Sequence, residues 1–223
     1  MPESTPIPEI QAREDWALAG TAKVKARKAA KAAAGIVCRM IGLQCLGDVS
    51  GKGMPAALLM ATVRATLRAV ARQNPPAAAL ELARQALETD FERTGSFVTL
   101  FHAQLNVGTR RLCYVDAGHS HVFVCRANGT VEDLERGGRP LGISSQQGYQ
   151  EGAVTFCAGD ALVVYSDGLL EAWSDREPLV LTDQCRGATS AAQLVERLVG
   201  FAALAGSPPD DLTVVVLRCN DER

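Results

Sequence analysis

The spacing of apolar residues changes along the chain at about residue 96. Before that point, stretches rich in alanine, leucine and methionine have helical spacing and predict helices over Ala56–Arg72 and Ala77–Arg93. After it, short apolar runs separated by turn residues predict strands. These strands are Phe97–Leu105, Arg111–Asp116, His121–Arg126, Ala153–Phe156 and Ala161–Tyr165.

Three further segments complete the pattern. A strand-like run, Met40–Leu46, precedes the helices, while a helix over Ser190–Ala205 and a strand over Leu212–Arg218 follow the strands. Helices and strands therefore come in blocks rather than in alternation, which predicts an α+β fold with antiparallel sheets. Residues 22–34 have high helix propensity but no apolar stripe, and residues 1–15 are polar.

Composition restricts the function classes. At 223 residues and 47% apolar, the chain fits one globular domain, and its net charge of -2 argues against a general affinity for nucleic acid or acidic membranes. No apolar run reaches the roughly 20 residues of a membrane span and no signal sequence is visible, so we expect a cytoplasmic protein. Seven cysteines without a C-x-x-C pair indicate reduced thiols rather than disulfides or a zinc site.

Three aspartates share one context, the tip of an apolar strand. Asp48 and Asp167 each follow such a run, and Asp210 precedes one. Converging carboxylates repel one another unless a cation joins them, and Mg²⁺ and Mn²⁺ favour oxygen ligands. Aspartate is also common in turns, and for any one of these residues alone that explanation is preferred.

The glycine-rich segment Gly47–Gly53 is not a nucleotide P-loop. That motif needs four residues between its first glycine and Gly-Lys, followed by Ser or Thr. Here three residues separate Gly47 from Gly51, and Gly53 follows Lys52.

The same segment carries a resemblance to a known family. Together with several later segments it closely resembles the bacterial PPM-type (protein phosphatase 2C-like) serine/threonine phosphatases of the SpoIIE/RsbU branch. The resemblance covers residues 40–218, and matches in the same order make chance improbable. The matching segments are GDVSGKGMPAALLMA (47–61), FVTLF (97–101), DAGHSHVFV (116–124), PLGI (140–143), GDALVVYSDGLLEA (159–172) and DDLTVVVLR (210–218).

The resemblance implies a four-layer α-β-β-α sandwich of two antiparallel sheets flanked by helices, with two Mn²⁺ or Mg²⁺ ions at one end. It implies that Asp48 bridges both ions beside the backbone carbonyl of Val49, and that Asp167 and Asp210 complete the ligand set. A water held by the metals would then attack phosphorus. His119 and His121 are expected to be structural and away from the metals.

Family members carry a Gly-Gly-Asp-Phe-Tyr-Asp type segment about twenty residues before the glycine-rich loop, and its first aspartate supports the metals. This chain has no acid between Thr21 and Leu46 and has a lysine-rich stretch there instead. Divergence to a weak or inactive enzyme, substitution by Asp15 or Glu14, or a local sequence error would each explain this. We therefore treat residues 1–39 as a divergent part of the fold and residues 40–220 as the phosphatase domain.

The resemblance implies a substrate of the phosphorylated anti-sigma-factor antagonist type, in bacterial partner-switching regulation. Two alternatives remain open from the residues: a catalytically weak binding module that keeps the fold, and a phosphatase of small phosphorylated metabolites. No sensor domain is visible before residue 40, so regulation would come from a separate protein, from a homodimer, or be absent.

Overall fold

The computed structural model describes residues 16–24, 36–40, 43–144, 147–171, 179–204 and 212–220. Within these ranges the chain forms ten strands and six helices. In chain order they are β1 (Trp16–Val24), β2 (Ile36–Met40), β3 (Leu43–Val49), α1 (Met54–Val70), α2 (Pro76–Ala86), α3 (Glu88–Thr94), β4 (Val98–Asn106), β5 (Arg111–Ala117), β6 (Val122–Cys125), β7 (Val131–Asp133), β8 (Gly152–Thr155), β9 (Ala161–Tyr165), α4 (Asp167–Glu171), α5 (Leu179–Cys185), α6 (Ala191–Leu204) and β10 (Leu212–Cys219).

The strands form two antiparallel sheets. Sheet I has the order β1-β10-β9-β6-β7, and sheet II has the order β2-β3-β4-β5-β8. Strands far apart in the chain become neighbours, because β1 pairs with β10 and thereby joins the N-terminal strand to the C-terminal one. This pairing places residues 16–24 in the same sheet as β9.

Three apolar clusters define four layers. Between the sheets, Phe101 and Leu112 of sheet II pack with Leu162 and Leu217 of sheet I. On the outer face of sheet II, a second cluster joins α1, α2 and α3 to the sheet. On the outer face of sheet I, a third cluster joins α6 to β9 and β10. The predicted α-β-β-α sandwich is confirmed.

Several element boundaries differ from the sequence prediction. The single helix expected over Ala77–Arg93 is two helices, because Leu87 leaves the helical region with φ -108° and ψ 5° while its side chain is buried. The expected strand Met40–Leu46 is a hairpin of β2 and β3. Ala22–Val24, which have helix-favouring neighbours, belong to β1 because pairing with β10 overrides local propensity. Residues 25–35 lie outside the described part of the chain.

Two cysteines contradict the expectation of reduced thiols. Cys125 at the end of β6 and Cys185 at the end of α5 form a disulfide, with their Cα atoms 5.8 Å apart. They are separated by 60 positions in the sequence, so only the packing of α5 beside sheet I brings them together. No helix among the described residues is long and apolar enough to span a membrane.

Candidate metal centre

The end of β3 carries the first two predicted ligands. Gly47 lies so close to β4 that a Cβ atom there would be 2.8 Å from the carbonyl oxygen of Thr99. Asp48 pairs with Thr99 and its side chain is exposed, whereas the side chain of Val49 is buried. The close approach of Gly47 to β4 and the burial of the Val49 side chain hold the backbone on both sides of Asp48, from which its carboxylate projects.

The carbonyl of Val49 points away from β4. Val98, its partner in the register, exchanges both backbone hydrogen bonds with Leu141, at 2.8 and 2.9 Å. Val49 and Val98 are therefore a non-hydrogen-bonded pair, whose N–H and C=O groups face outward from each other. On that outward side the ladder with β2 ends at Gly47, two residues earlier. This geometry suits a backbone oxygen that serves as a cation ligand.

The chain turns sharply after Val49. Gly51 and Gly53 have φ values of 104° and 78°, which residues with a Cβ atom rarely adopt. Helix α1 begins directly afterwards, with Pro55 in its first turn, as the sequence indicates.

The end of β9 carries the third predicted ligand. Asp167 is the first residue of α4 and is exposed, and its Oδ1 accepts a hydrogen bond of 2.9 Å from the N–H of Gly168. Asp210 lies outside the described residues, two positions before Leu212, the first residue of β10. Among the described residues no three acidic, histidine or cysteine side chains form a cluster that could hold a metal, and the predicted ligand Asp210 is not one of these residues.

Asp116 and His121 show that the ends of β3 and β9 lie at the same end of the sandwich. Asp116 is near the end of β5, whose last residue, Ala117, is in one cross-strand row with Gly47. Asp116 accepts the N–H of Ser120 at 2.9 Å, the carbonyl of the next residue, His121, accepts the N–H of Tyr165 at 3.0 Å, and the His121 ring lies 5.3 Å from that of Tyr165. Sheet II and sheet I therefore meet around this histidine, beside the two predicted acids.

Burial dominates the electrostatics of this cluster. Burial raises the pKa of Asp116, although the backbone N–H groups of Ser120 and His119 oppose this by donating to its carboxylate at 2.9 and 2.7 Å. Burial also lowers the pKa of His119 to about 4, which keeps its ring neutral at pH 7. The pKa of His121 is lowered by burial, while Asp167 and Asp116 act in the opposite direction.

His119 fits the structural role expected of it, because it is buried and its backbone is held by Asp116. His121 lies beside the end of β9, because its carbonyl accepts the N–H of Tyr165 at 3.0 Å, and its expected separation from the metals stays a prediction. Sequence reasoning missed Asp116, whose carboxylate caps the turn that carries both histidines. Its signal was an aspartate at a strand end before Ala-Gly, a typical position for an Asx-type cap.

The donors described here suit hard divalent cations. The exposed carboxylates of Asp48 and Asp167 and the outward carbonyl of Val49 are all oxygen ligands, of the type that Mg²⁺ and Mn²⁺ prefer. All of them project from strand ends that the buried cores hold in place.

Comparison with known proteins identifies the family and the fold. The family model described as stage II sporulation protein E (SpoIIE) matches residues 43–220. The phosphoserine phosphatase RsbU of Bacillus subtilis is 28% identical over 185 residues, which cover 78% of this chain and 54% of RsbU. Phosphoserine phosphatase RsbP of the same organism is 23% identical over 56% of this chain and 32% of RsbP. The chain thus spans about half or less of the length of these relatives.

Solved structures share the fold. The phosphatase domain of SpoIIE from Bacillus subtilis has a TM-score of 0.73 at 18% identity, over 93% of this chain and 64% of that one. The catalytic domain of the serine/threonine phosphatase PstP, solved with two manganese ions, has a TM-score of 0.69 at 22% identity, over 92% of this chain and 100% of that one. On the match to the family model, this chain belongs to the SpoIIE family, in the SpoIIE/RsbU branch of the PPM-type phosphatases.

Proposed function

We propose that this chain is a metal-dependent phosphoserine/phosphothreonine protein phosphatase, with its reaction centre at the ends of β3 and β9. The observation that carries this proposal is the placement of two exposed aspartates, Asp48 and Asp167, on opposing sheets at one end of the sandwich. Asp210, which precedes β10, completes the proposed set.

Each residue has a distinct role in the proposal. The carboxylates of Asp48, Asp167 and Asp210 and the backbone carbonyl of Val49 would hold the cations, with Asp48 and Val49 contributing from sheet II and Asp167 from sheet I. Two Mn²⁺ or Mg²⁺ ions, when bound, lower the pKa of water and neutralise charge on the phosphoryl group. The Asp48 and Asp167 carboxylates would hold the ions in place, and the buried side chains of Val49 and Tyr165 anchor the strand ends from which these carboxylates project.

The proposed substrate is a phosphorylated protein of the anti-sigma-factor antagonist type, in the cytoplasm. Two relatives, RsbU and RsbP, are phosphoserine phosphatases by name, and both support a phosphoserine substrate. A solved Mycobacterium tuberculosis protein, Rv1364c, carries RsbU and RsbW domains and supports a partner-switching context. A homodimer is proposed as one route to regulation.

A second candidate function is a catalytically weak binding module that engages the same phosphoprotein. The absence of any acid between Thr21 and Leu46 favours it. Strand β1 ends and strand β2 begins beside the proposed centre. The last residue of β1, Val24, pairs with Leu212, and the first residue of β2, Ile36, pairs with Gly47. Positive charge in this part of the sequence would weaken cation binding.

Mn²⁺-dependent hydrolysis of p-nitrophenyl phosphate and of a phosphoserine peptide tests the proposal. We expect hydrolysis that requires Mn²⁺ and falls at least about 100-fold in Asp167→Asn, because even outer-shell partners of metals typically contribute 10–100-fold. The matched control is Asp183→Asn, which alters an exposed aspartate on α5 and is expected to leave the rate unchanged.

The outcomes separate the two candidates. Hydrolysis that is absent in the unaltered chain, combined with binding of a phosphorylated antagonist, would support the binding module. Hydrolysis that is equal in Asp167→Asn and the unaltered chain would contradict a reaction centre at Asp167.

A further inference from the structure

Two serines end two β-ladders in the same way. Ser50 continues the register of β3 one pair beyond Val49 and lies opposite Phe97. Its N–H donates to the Phe97 carbonyl at 2.9 Å, while the Phe97 N–H donates to the Ser50 hydroxyl oxygen at 2.8 Å. The hydroxyl thus takes one of the two hydrogen bonds of this pair.

The second serine repeats this geometry in sheet I. Ser166 continues the register of β9 one pair beyond Tyr165 and lies opposite Thr213. Its N–H donates to the Thr213 carbonyl at 2.9 Å, and the Thr213 N–H donates to the Ser166 hydroxyl oxygen at 2.9 Å.

The side-chain bond changes the path of the chain. In a regular hydrogen-bonded antiparallel pair the two residues exchange two N–H···O=C bonds. Here each serine hydroxyl replaces the serine carbonyl, so the carbonyl leaves the ladder and the chain turns out of the sheet. After Ser166 the released carbonyl accepts the N–H of Leu169 at 3.0 Å, at the start of α4. After Ser50 the chain enters the turn with Gly51 and Gly53.

Both turns are next to the proposed cation ligands. Ser50 directly follows Asp48 and Val49, and Ser166 directly precedes Asp167. Thr213, the partner of Ser166, is three positions after Asp210. The hydroxyl of Ser166 therefore ties the segment with one proposed ligand to the strand that follows another.

We propose that Ser50 and Ser166 are positioning residues that set the direction of the metal-binding carboxylates, an inference that rests on the proposed function. Without the hydrogen bond to the serine hydroxyl, the last residue pair of each ladder keeps only one hydrogen bond. The backbone beside it is then less restrained, so the exposed side chains of Asp48 and Asp167 gain conformational freedom. A cation site needs its ligands held closely in place, and supporting hydrogen bonds typically change metal affinity 10–100-fold.

Calorimetric titration with Mn²⁺ tests this inference on the purified chain. Ser166→Thr and Ser166→Val form a matched pair, because both side chains are β-branched and only threonine retains the hydroxyl. We expect Ser166→Val to raise the Mn²⁺ dissociation constant about 10-fold and Ser166→Thr to leave it unchanged. We expect Ser50→Ala to weaken binding to a similar degree.

A distant serine provides the control for stability. The Ser190 hydroxyl accepts the N–H of Gln193 at 3.1 Å at the start of α6. Ser190→Ala should lower the thermal midpoint of the metal-free chain about as much as Ser50→Ala does, with no change in Mn²⁺ affinity. If Ser50 had only a structural role, Ser50→Ala would leave the Mn²⁺ affinity unchanged, as Ser190→Ala does. A lower Mn²⁺ affinity in Ser50→Ala alone therefore indicates a positioning role.

Two failures are distinguishable. If the unaltered chain binds no Mn²⁺, the proposed function itself is wrong. If the unaltered chain binds Mn²⁺ and Ser166→Val binds it as tightly as Ser166→Thr does, the positioning role is overturned while the proposed function stands.

Discussion

The two ends of β9 each carry an aspartate, and the surroundings of the two carboxylates differ. Asp160, before the strand, is buried, and three donors satisfy it: the Arg126 guanidinium at 2.8 Å and the backbone N–H groups of Ala127 and Cys157 at 2.8 and 2.9 Å. Asp167, after the strand, is exposed and accepts a hydrogen bond from the adjacent Gly168.

This difference separates a structural acid, Asp160, from a proposed cation ligand, Asp167. A buried carboxylate must have its donors supplied by the protein, and such a group contributes to stability. An exposed carboxylate at a strand end can accept an external cation. The Asp160 end is also cross-linked, because Cys125, opposite Ala161 in the register, is joined to Cys185. The stabilising interactions of Asp160 and the disulfide thus lie at one end of β9, and the proposed cation site lies at the other.

The largest effect is expected from removal of the buried acid. Asp160→Ala leaves the backbone N–H groups of Ala127 and Cys157 without their acceptor, while the Arg126 guanidinium keeps Glu132 and the Thr155 carbonyl, so the free energy of unfolding should fall by about 3 to 5 kcal/mol. Urea unfolding followed by circular dichroism measures this. Asp183→Ala, at an exposed position, should change the value by less than about 0.5 kcal/mol. An equal loss of unfolding free energy in Asp160→Ala and Asp183→Ala would contradict the structural role of the Asp160 carboxylate.

Loss of the disulfide should have a similar effect at the same end. A cross-link between residues 60 positions apart restricts the unfolded chain, which corresponds to about 4 kcal/mol in the chain-entropy treatment. The double variant Cys125→Ala, Cys185→Ala should unfold at lower urea concentration than the oxidised protein does. Peptide mapping without reductant should detect the Cys125–Cys185 link, and finding both thiols free would contradict it.

At the other end, His119 makes stability depend on pH. Its pKa is about 4 in the folded chain and 6.5 for the ordinary side chain, so the unfolded state binds more protons between these values. The contribution of the neutral His119 ring to the free energy of unfolding is therefore fully present above pH 6.5. It decreases as the pH falls toward 4, by up to about 3 kcal/mol. Burial raises the pKa of Asp116, which acts in the opposite direction.

The difference between the unaltered chain and His119→Asn isolates this contribution, because Asp116 and His121, whose pKa values burial also shifts, are common to both. Unfolding free energies measured from pH 7 to pH 4 should decrease more steeply in the unaltered chain. Parallel curves would show that His119 is not buried as a neutral ring.

The smallest effect on stability is expected at the site itself. Asp167→Asn removes an exposed charge with one local hydrogen bond, so the free energy of unfolding should change by less than about 0.5 kcal/mol. Thermal unfolding of the metal-free protein measures this. A loss comparable to that of Asp160→Ala would mean that Asp167 is a structural acid as well.

The parts that the sequence predicted are those that depend on local pattern. The continuous apolar run of β9 and the helical spacing of α1 reflect which faces are buried, and both elements were predicted within a few residues. Asp48 and Asp167 are candidate ligands because they follow such runs in recognisable motifs, and their role as ligands stays a prediction.

The remainder depends on contacts between distant segments. The hydroxyls of Ser50 and Ser166 accept hydrogen bonds from residues 47 positions away, and no local pattern identifies such partners. The disulfide and the interaction of His121 with Asp167 likewise arise only when sheets and helices pack.

Calorimetric titration of Mn²⁺ into the unaltered chain, Asp167→Asn and Asp183→Asn tests the central claim most directly. We expect the unaltered chain and Asp183→Asn to bind Mn²⁺ with the same sub-millimolar dissociation constant. Asp167→Asn should bind at least about 100-fold more weakly while remaining equally stable without metal. Mn²⁺ affinity that is the same in all three proteins would contradict a metal centre at the end of β9.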